Sequence, residues 1–250
     1  MFVASSGAAR EFPLWPPLLA SRGRGSRSGR HAHHALHLLL ALDGELRARG
    51  TGTWQAAAGV LTAPDQPHEI DASASDVLIV FLDPESVAGA ALRGLDAGPG
   101  LRLLSAAERD QLVDVSPQAL MREDGVAWAE RAVRVLGAPE QPRQNVHPRV
   151  RRALRHLQSL PAEGDQSLPA LARVAGLSEG RFMHAFTESV GIPLRPYLAW
   201  LKLQRAAAAI VTGSTLGEAA HGAGFADAAH MTRSFKRMFG IKPSALTKGF

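Results

Sequence analysis

The stretch TLGEAAHGAGFADAAHMTRSFKRMFGI, residues 215–241, decides the fold class, because residues 167–192, SLPALARVAGLSEGRFMHAFTESVGI, are an earlier version of it. At an offset of 48, Ser167, Leu168, Ala172, Ala175 and Gly176 fall on Thr215, Leu216, Ala220, Ala223 and Gly224, with Leu177 on Phe225. One residue, Ala226, is then inserted. At an offset of 49, Ser178, Phe182, Phe186, Gly191 and Ile192 fall on Asp227, Met231, Phe235, Gly240 and Ile241. Self-similarity over this length marks a duplicated structural unit.

Each copy predicts a short helix, a tight turn and a second helix. Ser167 or Thr215 is a good N-cap, and Leu168, Leu171, Ala172 and Ala175 recur at the spacing of one buried helical face. Gly176 and Gly224 stand where that helix must stop, since glycine enters the left-handed conformation without a side-chain penalty. Ser178 or Asp227 then caps the second helix, whose buried side is marked by Phe182, Ala185 and Phe186 in one copy and Met231, Ser234 and Phe235 in the other. This is the helix-turn-helix unit. Between the copies, Pro196 to Val211 reads as one long helix closed by Thr212-Gly213. Held rigidly about one turn of B-DNA apart, ~34 Å, two such second helices would enter successive major grooves.

The charge agrees with a division of labour. Residues 1–30 carry a net charge of +4, residues 31–144 a net −7 and residues 145–250 a net +8, where all four lysines lie. A polyanion-binding module joined to a non-binding one has this segregation, because phosphate neutralisation is the main sequence-independent source of nucleic-acid affinity. At 250 residues the chain suits two domains, and Gly137 to Pro142 marks the boundary, with a linker over 138–147. There is no cysteine, which excludes disulfides, thiolate metal sites and thiol nucleophiles. No apolar run reaches the ~20 residues of a membrane span. Pro13, Pro16 and Pro17 break what would be the heart of a signal peptide, so a cytoplasmic location is expected.

From residue 35 the pattern turns to short strands: Ala35 to Ala41, an Asp43-Gly44 turn of hairpin type, Leu46 onward, and Val77 to Leu82. A modest antiparallel β-barrel fits, giving an α+β protein with the helical domain at the C-terminal end. Residues 101–136 read as helices. Ser21 to Arg30, rich in arginine, glycine and serine, completes an N-terminal arm over 1–30 whose composition predicts disorder. Five of the ten histidines lie between positions 31 and 68.

Residues 148–250 resemble the DNA-binding domain of the AraC/XylS family of bacterial transcription regulators. The resemblance rests on Gly224-Phe225, the run Arg233 to Pro243, Ala175 to Ser178, Arg181-Phe182, Phe186, Gly191-Ile192-Pro193, Tyr197 and Arg205. It implies that Glu179, Gly180, Met183 and His184 in the first unit, and Ala228, Ala229, Thr232 and Arg233 in the second, face base edges of double-stranded promoter DNA. Arg233 suits the bidentate contact to guanine O6 and N7. Ser178, Arg181, Thr187, Lys236 and Arg237 are placed for phosphates, which position without specifying sequence.

Residues 31–137 resemble, more distantly, the cupin-like sensor domain that precedes such DNA-binding domains. That resemblance implies a small-molecule or metal effector, a homodimer formed through the helices packed on the barrel and, for an activator, contact with RNA polymerase. His31, His33 and His37 follow the spacing of the first cupin metal motif, with His37 where the motif has glutamate, and His68 stands where the second motif supplies its histidine. Imidazoles of this kind make a candidate site for zinc, nickel, copper or iron. The chain is thus expected to be a regulator and not an enzyme. The rival is a cupin-type metal-dependent enzyme with a basic helical appendage, which leaves the duplication unexplained.

Overall fold

The segment Leu36–Ala41, apolar at nearly every position, forms the central strand of the first half. The computed structural model describes residues 18–95, 101–116, 119–120, 125–139, 146–161, 164–239 and 242–245. In chain order the first half contains β1 (Leu19–Arg24), β2 (Leu36–Ala41), β3 (Leu46–Arg49), β4 (Gln55–Ala57), β5 (Gly59–Thr62), β6 (Glu69–Asp71) and β7 (Asp76–Leu82). They are followed by α1 (Val87–Arg93), β8 (Leu101–Leu104), α2 (Ala106–Asp110) and α3 (Gly125–Val135). The strands make two antiparallel sheets, β1-β7-β2-β5-β8 and β4-β3-β6.

β2 is apolar on both faces because both are covered. Leu36, Leu38 and Leu40 belong to a core shared with α1 and α3, including Leu92, Trp128 and Val133. Leu39 and Ala41 point the other way, onto Leu46, Ala48 and Ile70 of the smaller sheet.

Three expectations change here. The Asp43-Gly44 turn, with Gly44 at φ 62°, does not close a hairpin between β2 and β3. Both edges of β2 are already occupied by β7 and β5, so the turn carries the chain across to the second sheet. Leu101–Leu104 is not helical but forms β8, paired with β5 from Gly59↔Leu104 to Thr62↔Leu101. Four residues with leucines at both ends satisfy either period, and an open sheet edge decided between them. The arm over 1–30 is also corrected where it is described: Leu19–Arg24 is an edge strand on β7, and Ser28 donates its backbone N–H to Ile70 O at 2.8 Å. Residues 1–17 and 140–145, the first part of the arm and most of the linker, lie outside the described residues.

The second half is helical: α4 (Pro148–Ser159), α5 (Leu168–Ala175), α6 (Glu179–Val190), α7 (Leu194–Val211), α8 (Leu216–Gly222) and α9 (Ala228–Phe239), then a 3-10 turn at Pro243–Ala245. The repeat is visible in the caps. The Ser167 hydroxyl accepts from the backbone N–H of Ala170, and Thr215 forms a reciprocal capping box with Glu218. Gly176 and Gly224 follow at φ 67° and 77°, the conformation that turns the chain into the next helix. Phe182, Phe186, Met231 and Phe235 are all buried in one core with Tyr197, Trp200 and Leu201 of α7. Arg205, also on α7 and buried, donates from its guanidinium to the carbonyls of Leu157 and Leu160, both at 2.9 Å. It thereby satisfies the C-terminal end of α4 and complements its dipole.

The two halves pack directly. Leu19, Ala35 and Phe81 of the sheet half belong to the same continuous core as α4 to α9.

Candidate nucleic-acid interface and histidine cluster

α6 and α9 each lay an apolar stripe on the common core and turn the opposite side outward. On α6, Glu179, Gly180, Arg181, His184 and Thr187 are exposed, Ser178 is exposed at the N-cap, and Met183 is 51% exposed despite its apolar side chain. His184 lies 3.9 Å from Glu188 one turn later. On α9, Ala229, Arg233, Lys236 and Arg237 are exposed, and Thr232 is half-buried. Ala228 is half-buried and packs against the core beside Met231 and Phe235, whereas Ala229 is exposed. The Asp227 carboxylate accepts from the backbone N–H of His230 at 2.6 Å and caps α9.

Four of the five histidines of the first half, His31, His33, His37 and His68, form a second centre. His31 and His68 face each other across an antiparallel bridge, with reciprocal backbone hydrogen bonds of 3.1 and 2.9 Å. His37 sits on β2 opposite Phe81 of β7 and Thr62 of β5, so these three side chains share one face of the sheet. Ring centroids are 4.4 Å apart for His31 and His68, 4.8 Å for His33 and His37, and 5.1 Å for His68 with either His33 or His37. One ring nitrogen from each of His31, His33 and His68 lies within 4.8 Å of the other two.

The hydrogen bonds select the tautomers. Nδ1 of His31 donates to Gly29 O at 2.7 Å, Nδ1 of His33 to Ala35 O at 3.1 Å and Nδ1 of His68 to Gln66 O at 2.8 Å. Each Nδ1–H is therefore anchored to backbone, and Nε2 carries the lone pair. His37 Nδ1 stands 2.9 Å from His33 Nε2. Burial holds His33 and His37 well below the ordinary imidazole range, reinforced by the neighbouring rings, and pushes His68 down to about 4. The rings are thus neutral at neutral pH, the state in which imidazole binds a metal. His37 Nε2, His68 Nε2 and Thr62 Oγ1 are buried without a hydrogen-bond partner among the described residues.

A third group lies beside this one and was not legible in the sequence. His34 sits between two carboxylates, Nδ1 2.7 Å from Asp65 and Nε2 3.2 Å from Glu85, which also accepts from Arg93 at 3.2 Å. Burial alone would depress His34, but Glu85 and then Asp65 overcome it and hold the imidazolium up to about 10. Burial, then the Glu85 charge, pushes the Asp83 carboxyl well up, whereas His34 draws the Glu85 carboxyl down against its own burial. Gly89 makes this packing feasible: a Cβ there would lie 2.0 Å from Asp83 O.

Both groups meet the helical half at α7. The Trp200 ring stacks on His33 at 6.4 Å between centroids, and the Tyr197 ring meets His34 edge-on at 5.9 Å.

A sheet domain packed on paired helix-turn-helix units is the class that these features define. Residues 171–249 match a protein-family model described as a helix-turn-helix domain. Over 92% of its length the chain has the fold of ToxT from Vibrio cholerae O395, at 10% sequence identity and a TM-score of 0.58, matching 96% of that chain. Unsaturated-fatty-acid-bound wild-type ToxT from Vibrio cholerae strain SCE256 gives 11% identity and a TM-score of 0.58 over 93% and 95%. The AraC-type DNA-binding domain of a Chromobacterium violaceum regulator is 21% identical over 40% of this chain and 89% of its own, with a TM-score of 0.38. Among the described residues no helix is long and apolar enough to cross a membrane.

Proposed function

We propose that this protein is a transcription regulator that sets α6 and α9 in successive major grooves of promoter DNA and responds to a small-molecule or metal effector held by its sheet half. The observation that carries it is the duplication itself: two equivalent helices, each anchored by buried aromatic or Met side chains, with polar faces outward in the half of net charge +8. Its site of action is then the cytoplasm, where promoter DNA lies, with RNA polymerase as the further partner if it activates. Dimerisation would use the helical layer of α1 and α3, which leaves Val87 and Val126 exposed. ToxT, solved with an unsaturated fatty acid, supports a ligand-binding role for this architecture. The chain acts by binding, with no catalytic step assigned.

Arg233 supplies base reading and Lys236 phosphate contact. Arg233→Ala is expected to weaken binding to the cognate site by ~1–3 kcal/mol and relax choice at one base pair, whereas Lys236→Ala weakens specific and random DNA alike and lowers the salt slope by about one. Mobility shifts on both DNAs across a salt series separate these outcomes. Equal loss on specific and random DNA for Arg233→Ala would remove its readout role.

A further inference from the structure

Half of the net charge of +8 that marks the C-terminal half lies in one helix outside both helix-turn-helix units. The first unit, residues 167–192, carries Arg173 and Arg181 against Glu179 and Glu188 and is neutral overall; the second, residues 215–241, carries Arg233, Lys236 and Arg237 against Glu218 and Asp227, net +1. α4 alone contributes +4, from Arg149, Arg151, Arg152 and Arg155, with no acidic residue in the helix. We propose that α4 is a third DNA-binding element, whose Arg149 and Arg152 grip the phosphate backbone beside the first unit. Its partner, duplex DNA, rests on the regulator reading above.

Three observations point to a polyanion. α4 buries Val150, Ala153, Leu154 and Leu157 and turns Arg149, Arg152 and Arg155 outward, all three exposed. This pattern works against the helix itself: Arg149 in the first turn opposes the macrodipole, and the pairs Arg149 with Arg152, Arg152 with Arg155 and Arg151 with Arg155 set like charges three or four residues apart. Among the described residues the Arg152 guanidinium has no ion-pair or hydrogen-bond partner, and that of Arg149 donates to a single carbonyl. A row of phosphates along this face relieves every one of these repulsions.

Place selects the backbone beside the first unit. At the N-cap of α4 the His147 N–H donates to Ser189 Oγ near the end of α6 at 3.1 Å, and the Arg149 guanidinium donates to Gly176 O in the turn that leads into α6. Gly176 stands three residues before Glu179, at most about 11 Å along the chain, so Arg149 reaches the start of the helix that enters the groove. Arg152 follows one turn further along α4. α6 itself is poor in cations, with Gly180 and Met183 among its outward positions and Arg181 offset by Glu179 and Glu188. α4 thus gives the first unit the phosphate contacts that Lys236 and Arg237 give the second, adding affinity and register without sequence preference.

The test titrates the full chain with a promoter fragment that it binds and with a random duplex of equal length, each across a salt series. Arg152→Gln is expected to weaken both complexes by the same factor, about 3-fold or more at low salt, and to lower the salt slope by about 0.9; adding Arg149→Gln should double the change in slope. Arg152→Lys keeps the charge and should keep the slope. Arg134→Gln, the same charge change on an exposed position of α3 in the sheet half, should alter neither quantity. Ethylation of phosphates flanking the α6 contacts should block wild-type binding, and Arg152→Gln should become insensitive to it. Thermal melts separate misfolding from contact loss, since removal of a repelling charge should leave the melting temperature unchanged or raise it. Wild-type binding with an undiminished slope in Arg152→Gln overturns the role of α4. A change in oligomeric state with DNA affinity intact also overturns it, and assigns the cationic face to a second copy. A wild-type chain that binds no duplex overturns the regulator reading itself, and this proposal with it.

Discussion

Glu85→Gln is expected to lower folding stability by about 3 kcal/mol, because it removes the buried partner of His34 and leaves that charge to the more exposed Asp65 alone. The Glu85 and His34 side chains are only 1% and 2% exposed, and Glu85 also holds Arg93. For a chain of this size the loss corresponds to a melting temperature lower by on the order of 10 °C. The effect has a defined pH window. His34 is held up to about 10 in the folded state, so its contribution is complete below the ordinary imidazole value and is lost as pH rises through about 10. The groups facing it are Asp65 and Glu85, with Arg93, Asp83 and the Tyr197 ring around them. Urea unfolding of both proteins at neutral and alkaline pH should therefore show a large difference that shrinks near pH 10. A difference below about 1 kcal/mol at neutral pH would mean that the network contributes little.

Phe235→Ala is expected to cost about 3–5 kcal/mol as well, through the cavity left in a core that cannot fully collapse. Phe235 is 1% exposed and occupies in the second unit the place of Phe186 in the first. It is the anchor that orients α9, so the exposed Arg233 and Lys236 lose their fixed position along with it. Calorimetry and DNA titration should report both losses together, and Phe186→Ala should do the same for α6. A variant that melts normally yet binds poorly would instead place Phe235 at the DNA.

The helical half was legible because its signals are local. Ser167, Gly176, Thr215 and Gly224 act on their own neighbours within a few residues, and duplication stated each message twice. The histidine cluster was partly legible for a similar reason, since His31, His33 and His37 are close in sequence, although the Nδ1 anchors that ready them for an ion were not. The His34 network was hidden, because Asp65 and Glu85 stand 31 and 51 residues away, on the β5–β6 and β7–α1 connections, and only the fold brings them in. The place of Trp200 at the seam depends on how two separate halves dock, which no local pattern carries. Where composition argued for a loose arm, the open edge of β7 made Leu19–Arg24 a strand.

Guanine protection on a cognate promoter fragment tests the central claim most directly. Two protected clusters on one face of the duplex, centred about 10 base pairs apart and each lost separately on disabling α6 or α9, are the predicted result. A single cluster, or binding that does not weaken as salt rises, would contradict the placement of two helices of one chain in neighbouring major grooves.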